Sequence, residues 1–330
     1  MVDSALVPAE LLVPDSVEAF AEALRAAQAD GARVLPCGRR SRLARHAPDA
    51  APQRWLSTAA LHGVRWIDVA DQTCEVEAGL APAALEALLA PHRLTLGVRA
   101  PCAGNGTLGG LFLAPDVSLL HASFGPPRDQ VLGAEWLLAD GSRVRSGARV
   151  VKSVAGYDLT RLFLGSRGRL AACTALILRL RPLPRHVAWW QTETPLHWRA
   201  LRGAPARFAV QPAADRPLYL QYADGDAPPD GIGERIEDRN GEHALAETLA
   251  AFESAPRRCA VARAPAVPPR GAADWNALQF ALPTPAADAP ARADDAGLLA
   301  DATLVPFPAD AAWLEEVARA CTPDARPLGT

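Results

Sequence analysis

The stretch of sequence that decides the fold lies near the middle of the chain and reads Val151-Lys152-Ser153-Val154-Ala155-Gly156-Tyr157-Asp158-Leu159-Thr160-Arg161-Leu162. Lys152 is the only lysine among 34 basic residues, which indicates a need for a compact ammonium group there. Gly156 precedes an aromatic residue and an acid, and Asp158 is well placed to cap a helix. The stretch therefore predicts a glycine turn that leads into a short helix over residues 157–164.

A second glycine-rich segment precedes it at residues 101–110, where Gly104, Gly106 and Gly109 satisfy the pattern G-x-G-x-x-G. A dinucleotide-binding Rossmann turn needs a strand directly before the glycines, and residues 99–102 interrupt that arrangement. Two other interpretations stay open. The backbone N–H groups can form an anion-binding nest, or the segment is a plain glycine turn, which the segment alone favours.

The pattern of the sequence changes at about residue 185 and divides the chain into two parts. Up to Arg185, short strand-like and helix-like segments alternate, as in the hairpin predicted around Asp140-Gly141. After residues 182–184, which read Pro-Leu-Pro, the pattern weakens, and residues 256–308 are rich in proline and alanine. A strand is predicted at 187–191, a second at 217–222, and helices at 242–253 and 311–320. We expect one domain over 1–185 and a second, loop-rich domain over 186–330.

Composition excludes several classes of protein. Hydrophobic residues make up 49% of the chain and charged residues 22%, which are globular proportions. We find neither a membrane span nor a secretory signal, so a soluble, cytoplasmic protein is expected. A net charge of −3 argues against a nucleic-acid partner. The six cysteines and seven histidines show no metal-ligand spacing, so no metal site is predicted.

Several segments together carry a family resemblance. Residues 106–110 read Gly-Thr-Leu-Gly-Gly, residues 128–133 Arg-Asp-Gln-Val-Leu-Gly, and residues 165–168 Gly-Ser-Arg-Gly. With residues 151–162 they resemble the FAD-binding domain of the vanillyl-alcohol oxidase and p-cresol methylhydroxylase type. Within that group, the string that begins at Lys152 is most similar to the E subunit of bacterial glycolate oxidase. The resemblance covers residues 1–185 and is faint beyond them.

The resemblance implies an α+β fold, in which a two-lobed FAD-binding domain is followed by a smaller, loop-rich α+β domain that serves as a cap or in assembly. FAD would lie between the two lobes. Transferred by motif, the candidate cofactor-binding residues are Gly38, Arg39, Arg40, Ser41, Gly104, Gly106, Thr107, Gly109, Gly110, Lys152, Gly156, Tyr157, Asp158, Gly165 and Ser166. No residue stands out as a catalytic base.

The first phosphate loop departs from the family. It reads Cys37-Gly38-Arg39-Arg40-Ser41-Arg42 and keeps one glycine where relatives usually have several. Its arginines can instead pair with phosphate oxygens in a bidentate manner. Some relatives tether the flavin to a histidine, but His46 lies past this loop, so we expect FAD to be bound without a covalent link.

The function that the resemblance implies is an FAD-binding subunit of a 2-hydroxy acid oxidoreductase of the glycolate type, which passes electrons from substrate to a partner. Its partners would be a larger flavoprotein subunit and an iron–sulfur subunit in a hetero-oligomer. The isolated chain is not expected to oxidise glycolate at a useful rate. The alternative is a non-catalytic scaffold subunit, with or without flavin. A third interpretation, a nicotinamide dehydrogenase, rests only on the G-x-G-x-x-G pattern.

Overall fold

The computed structural model describes residues 10–41, 52–97, 106–114, 127–149, 158–193, 208–210, 217–254, 260–263 and 279–282. The described residues fall into two compact units, with Pro182 the last of them in the first unit and Leu183 the first in the second. Helices and strands are mixed in both units, as the sequence predicts. The assignment of two domains with separate roles stays a prediction.

The first unit begins with a small parallel sheet. Its strands are β1 (Glu10–Leu12), β2 (Val34–Cys37) and β3 (Arg54–Ser57), in the order β1-β3-β2. Helix α1 (Val17–Ala29) starts after Ser16, whose hydroxyl oxygen accepts a hydrogen bond from the Ala19 N–H. Its apolar face buries Phe20 and Leu24 in a core shared with β3. That core holds β2 and β3 in place, and both strands lead into loops of the candidate site.

A five-stranded antiparallel sheet forms the rest of this unit. Its strands are β4 (Val64–Asp68), β5 (Thr73–Glu77), β7 (Val131–Leu137), β8 (Arg143–Gly147) and β9 (Ala172–Arg179), in the order β4-β5-β9-β7-β8. Strands β6 (Leu94–Thr95) and β10 (Arg181–Pro182) pair separately. The helices are α2 (Pro82–Leu89), α3 (Leu108–Leu113) and α4 (Leu159–Phe163), with 3-10 turns at Ala90–His92 and Pro127–Gln130. The antiparallel sheet removes the support for a doubly wound nicotinamide-binding fold.

One face of this sheet carries the main hydrophobic core. Trp136 and Phe163 meet edge to face with ring centroids 5.0 Å apart, and both are buried. The indole N–H of Trp136 donates to Ser146 Oγ at 2.9 Å, so its polar edge is satisfied. Helix α3 packs into the same core through Leu108 and Phe112. This packing fixes the position of the glycine-rich segment at residues 106–110.

The opposite face of the sheet holds a buried ionic network. Glu135 is 1% exposed, and its carboxylate accepts hydrogen bonds from Arg65 at 3.0 Å, Arg143 at 2.6 Å and Thr174 Oγ1 at 2.9 Å. Burial opposes ionisation of Glu135, but these donors outweigh it and lower its pKa to about 2. Arg65 also donates to Glu75 at 2.8 Å. The alternation of strand residues therefore separates an apolar face from a charged one.

The described residues of the second unit include a four-stranded antiparallel sheet and one helix. Strands β11 (Val187–Thr192), β12 (Phe208–Val210), β13 (Leu218–Ala223) and β14 (Glu234–Ile236) lie in the order β12-β13-β11-β14. Helix α5 (Asp238–Ser254) packs closely on this sheet. Glycine at position 241 permits this, since a Cβ there would overlap the Trp189 ring. Strands β15 (Ala260–Arg263) and β16 (Gln279–Leu282) pair with each other within the proline-rich region.

The strands predicted at 187–191 and 217–222 are found as β11 and β13, and α5 starts four residues earlier than the predicted helix at 242–253. Several strands of two to four residues were not predicted, because so few residues carry too little periodicity: β1, β3, β6, β10, β12, β14, β15 and β16. The helix predicted at 311–320 lies outside the described residues. None of the helices in the described part of the chain is long and apolar enough to cross a membrane.

Candidate functional site

A cleft in the first unit brings together three segments that are distant in sequence. They are the loop after β2, the start of α3 and the turn after α4. The cleft is open to solvent, and the empty space within it, open solvent included, is about 780 Å³. Eight of the predicted cofactor-binding residues line it: Gly38, Arg39, Arg40, Ser41, Gly106, Thr107, Gly109 and Gly110.

The loop after β2 is held by the end of β3. The parallel pairing of the two strands continues to Cys37 and Ser57. Beyond it, the Ser57 hydroxyl donates to the Gly38 carbonyl at 3.0 Å, and the Thr58 N–H donates to the Cys37 carbonyl at 2.8 Å. These bonds fix the path of the loop, so that residues 38–41 face the cleft from one side.

Gly38 and Thr107 join this loop to α3. Thr107 is buried and caps the helix, since its Oγ1 accepts a hydrogen bond from the Gly110 N–H at 3.1 Å. A Cβ at position 38 would overlap that Thr107 hydroxyl. Only glycine therefore allows the two walls of the cleft to approach each other here.

Three N–H groups of the glycine-rich segment are already used by the protein itself. Leu108 donates to the Leu80 carbonyl at 2.9 Å, and Gly109 donates to the Ala78 carbonyl at 2.7 Å. With Gly110 bonded to Thr107, these three N–H groups are not free. The interpretation of these three as part of an anion-binding nest is wrong, because the ends of neighbouring chain segments satisfy them.

Packing within the protein, and not contact with the cofactor, explains why residue 109 is a glycine. A Cβ at this position would point at Ala78, 2.9 Å from its Cβ and 3.1 Å from its carbonyl oxygen. The glycine is needed so that α3 can lie against the chain that follows β5. Close approach of the backbone to a ligand is not required to explain it.

The cleft is strongly cationic. Three arginines line it, Arg39, Arg40 and Arg167, and no acidic side chain of the described residues does. Burial raises the pKa of the Cys37 thiol to about 12, despite the nearby charge of Arg40, and it raises the pKa of Cys173 as well. Both thiols stay neutral at pH 7 and add no negative charge to the lining, so the arginines suit a ligand that carries phosphate groups.

The inner wall of the cleft is apolar and includes Leu35, Trp55 and Leu113. Trp55 is 1% exposed, and its indole N–H has no hydrogen-bond partner among the described residues. A buried donor of this kind carries a free-energy cost that a bound polar group would relieve. The cleft thus offers arginines, an apolar wall and the Trp55 indole N–H as a donor. These features fit a dinucleotide cofactor such as FAD.

Three further predicted residues are described and do not line the cleft. Asp158 caps α4, accepting a hydrogen bond from the Arg161 N–H at 3.0 Å. Gly165, with φ of +81°, and the buried Ser166 form the turn after α4, and neither lines the cleft. The other four predictions fall outside the described residues, namely Gly104, Lys152, Gly156 and Tyr157.

Among the cleft residues that sequence reasoning did not name are Arg167, Trp55 and Thr58. Arg167 could have been found, because it stands in the Gly-Ser-Arg-Gly motif at residues 165–168, next to two predicted positions. Trp55 and Thr58 gave no usable signal, since they lie in and beside β3, a strand too short to be predicted.

Comparison with known proteins supports a cofactor site of this kind. Residues 8–147 match the family described as FAD binding domain. An uncharacterized FAD-linked oxidoreductase of Mycobacterium tuberculosis is 32% identical over 181 residues, which cover 55% of this chain and 39% of that protein. Glycolate oxidase subunit GlcE of Escherichia coli is 44% identical over 61 residues, 18% of this chain and 17% of that protein.

The fold is also found among solved structures. An alkyldihydroxyacetonephosphate synthase superposes with a TM-score of 0.52 at 14% identity, covering 73% of this chain and 49% of the other. The chain spans less than half the length of each of these three proteins. The family match at residues 8–147 includes the cleft-lining residues between Leu35 and Ala114.

Proposed function

We propose, from the premise that this chain carries an FAD binding domain and uses FAD as its cofactor, that it is an FAD-binding subunit of a 2-hydroxy acid oxidoreductase of the glycolate type. The observation that carries the proposal is the cationic cleft, which gathers eight of the residues predicted to bind FAD. Similarity to a protein named as a glycolate oxidase subunit supports the substrate class and a multi-subunit assembly. A larger flavoprotein subunit and an iron–sulfur subunit are the partners we expect.

The residues of the cleft have distinct parts in holding the cofactor. Arg39, Arg40 and Arg167 offset the charge of its phosphates, and the Gly38–Thr107 contact keeps the two walls close. The apolar wall around Trp55 excludes water from the part of the ligand that it covers. When bound, FAD supplies a hydride acceptor for the substrate carbon that bears the hydroxyl group.

A second candidate is a non-catalytic subunit that holds FAD for assembly. The lining of the described cleft favours it, because arginines, hydroxyls and apolar groups bind and orient a ligand, whereas no carboxylate or imidazole of the described residues faces the cleft. Such groups commonly act as general bases. In this case the partner subunits would supply the active site.

The experiment is a visible spectrum of the purified chain before and after addition of glycolate without oxygen. Flavin absorbance that bleaches supports the oxidoreductase subunit, and absorbance that persists supports the non-catalytic one. Release of the cofactor by heat, followed by chromatography, distinguishes FAD from FMN. A chain that neither holds nor takes up FAD would contradict the proposal. With artificial dyes, we expect turnover of the isolated chain below about 1 per second.

A further inference from the structure

We propose that Thr160 is a positioning residue for the cofactor. Its hydroxyl ties helix α4 to strand β8, and this bond sets the place of the turn at residues 165–168, two of which line the cleft. The inference rests on the proposed function, because it assumes that FAD occupies the cleft. Thr160 does not line the cleft, so its effect on FAD is exerted through the turn.

Three hydrogen-bonding side chains join α4 to the sheet. The indole N–H of Trp136, on β7, donates to Ser146 Oγ at 2.9 Å, and Ser146 Oγ lies 2.7 Å from Thr160 Oγ1. Trp136 and Thr160 are 0% and 3% exposed. Because water has little access there, a hydroxyl that loses its neighbour is not readily compensated.

Helix α4 depends on tertiary contacts for its orientation. It has five residues, too few for a helix that is stable by itself, and it packs on β7 and β8. Its two buried residues, Thr160 and Phe163, are three positions apart, so they lie on the same side of the helix. Phe163 packs on Trp136, but apolar contact has no preferred direction. The hydrogen bond of Thr160 is directional, so it fixes the rotation of the helix about its axis.

The turn follows α4 closely and contacts two other elements of the cleft. The N–H of Arg167 donates to the Leu113 carbonyl at 3.0 Å, at the end of α3. At Gly168 a Cβ would be 3.2 Å from the Pro36 carbonyl oxygen, so the turn lies directly against β2. A rotation of α4 would therefore displace the turn from α3 and β2 and change the lining of the cleft.

Loss of the Thr160 bond should weaken FAD binding through the population of the turn. An apoprotein whose turn leaves its place binds FAD only in the fraction of molecules that keep it, so the apparent dissociation constant rises by the inverse of that fraction. The net contribution of one hydrogen bond corresponds to about three- to tenfold in such an equilibrium. The apolar core around Trp136 remains, so we expect the chain to stay folded.

The test titrates FAD into the full chain, stripped of flavin, well below its melting temperature. Thr160→Val keeps the shape of the side chain and removes the hydroxyl, whereas Thr160→Ser keeps the hydroxyl. Ser146→Ala removes the bonding partner, and a double variant joins it to Thr160→Val. The control is Thr95→Val, because the Thr95 hydroxyl donates to Glu86 at 3.0 Å and Thr95 does not line the cleft. The readouts are the dissociation constant of FAD, the visible circular dichroism of the bound flavin and the melting temperature of the apoprotein.

We expect Thr160→Val and Ser146→Ala each to bind FAD about three- to tenfold more weakly than the wild type. The double variant should bind FAD no more weakly than Ser146→Ala alone, because both substitutions remove the same contact. The visible circular dichroism should change in Thr160→Val, and Thr160→Ser should restore both the dichroism and the affinity. Thr95→Val should lower the melting temperature and keep the affinity for FAD.

Wild-type affinity and unchanged dichroism in Thr160→Val would overturn the inference while leaving the proposed function intact. Equal losses of affinity in Thr160→Ser and Thr160→Val would also overturn it, since the hydroxyl would then not be the group that matters. A comparable loss in Thr95→Val would do the same, because affinity would then follow stability. Failure of the wild-type chain to bind FAD would overturn the proposed function, and this inference with it.

Discussion

Replacement of Glu135 by glutamine tests the ionic network of the five-stranded sheet. The Glu135 side chain is 0% exposed and receives hydrogen bonds from Arg65 at 3.0 Å and from Arg143 at 2.6 Å. Glutamine keeps the volume but removes the charge, so the two arginines lose the carboxylate that stabilises them. Loss of the charge is destabilising because the carboxylate is buried, even though Arg65 and Arg143 are 24% and 46% exposed.

The magnitude follows from the pKa of this carboxyl group. Burial acts against the ionised form, yet the arginines lower the pKa from 4.5 to about 2 in the folded chain. A difference of about 2.5 pKa units corresponds to about 3 kcal/mol of folding free energy. Because the folded pKa is depressed, this contribution is complete above about pH 4.5 and is lost as the pH falls through about 2.

The assay is urea denaturation of the wild type and Glu135→Gln at pH 7 and at a series of lower pH values. At pH 7 we expect the free energy of unfolding of Glu135→Gln to be about 3 kcal/mol below that of the wild type. This difference should narrow below pH 4.5. Glu18→Gln is the control, since Glu18 is 74% exposed and pairs with the same Arg143 at 3.4 Å. The Glu18→Gln substitution should lower the free energy of unfolding by under about 1 kcal/mol. A gap that does not change with pH would refute the reasoning.

Two further predictions concern the cleft. Gly109→Val should lower the free energy of unfolding by about 1–3 kcal/mol, because its Cβ meets Ala78, whereas Gly110→Ala, with only the Thr107 hydroxyl 3.3 Å away, should leave stability near that of the wild type. Denaturation curves measure both, and a Gly109→Val variant that loses FAD while keeping full stability would contradict this expectation. Acid precipitation should release the flavin into the supernatant, and yellow colour kept in the pellet would show a covalent link.

Local signals in the sequence determined much of the fold correctly. Ser16 caps α1 as its position predicts, and the Asp140-Gly141 pair makes the hairpin turn with Gly141 at φ of +76°. These features depend on neighbours within a few residues, so the sequence alone expresses them. The family motifs likewise placed Gly38, Ser41 and Gly106 at one site, and the structure gathers them in the cleft.

Only the tertiary structure decided how each residue of the cleft is used. Whether the N–H of Gly109 is free depends on the Ala78 carbonyl, and whether the turn with Arg167 borders the cleft depends on the packing of Gly168 against Pro36. These contacts join segments far apart in the chain, and no local pattern encodes them. A sequence can indicate where glycine and arginine stand, but the direction of a Cβ and the partner of a donor are set by the whole fold.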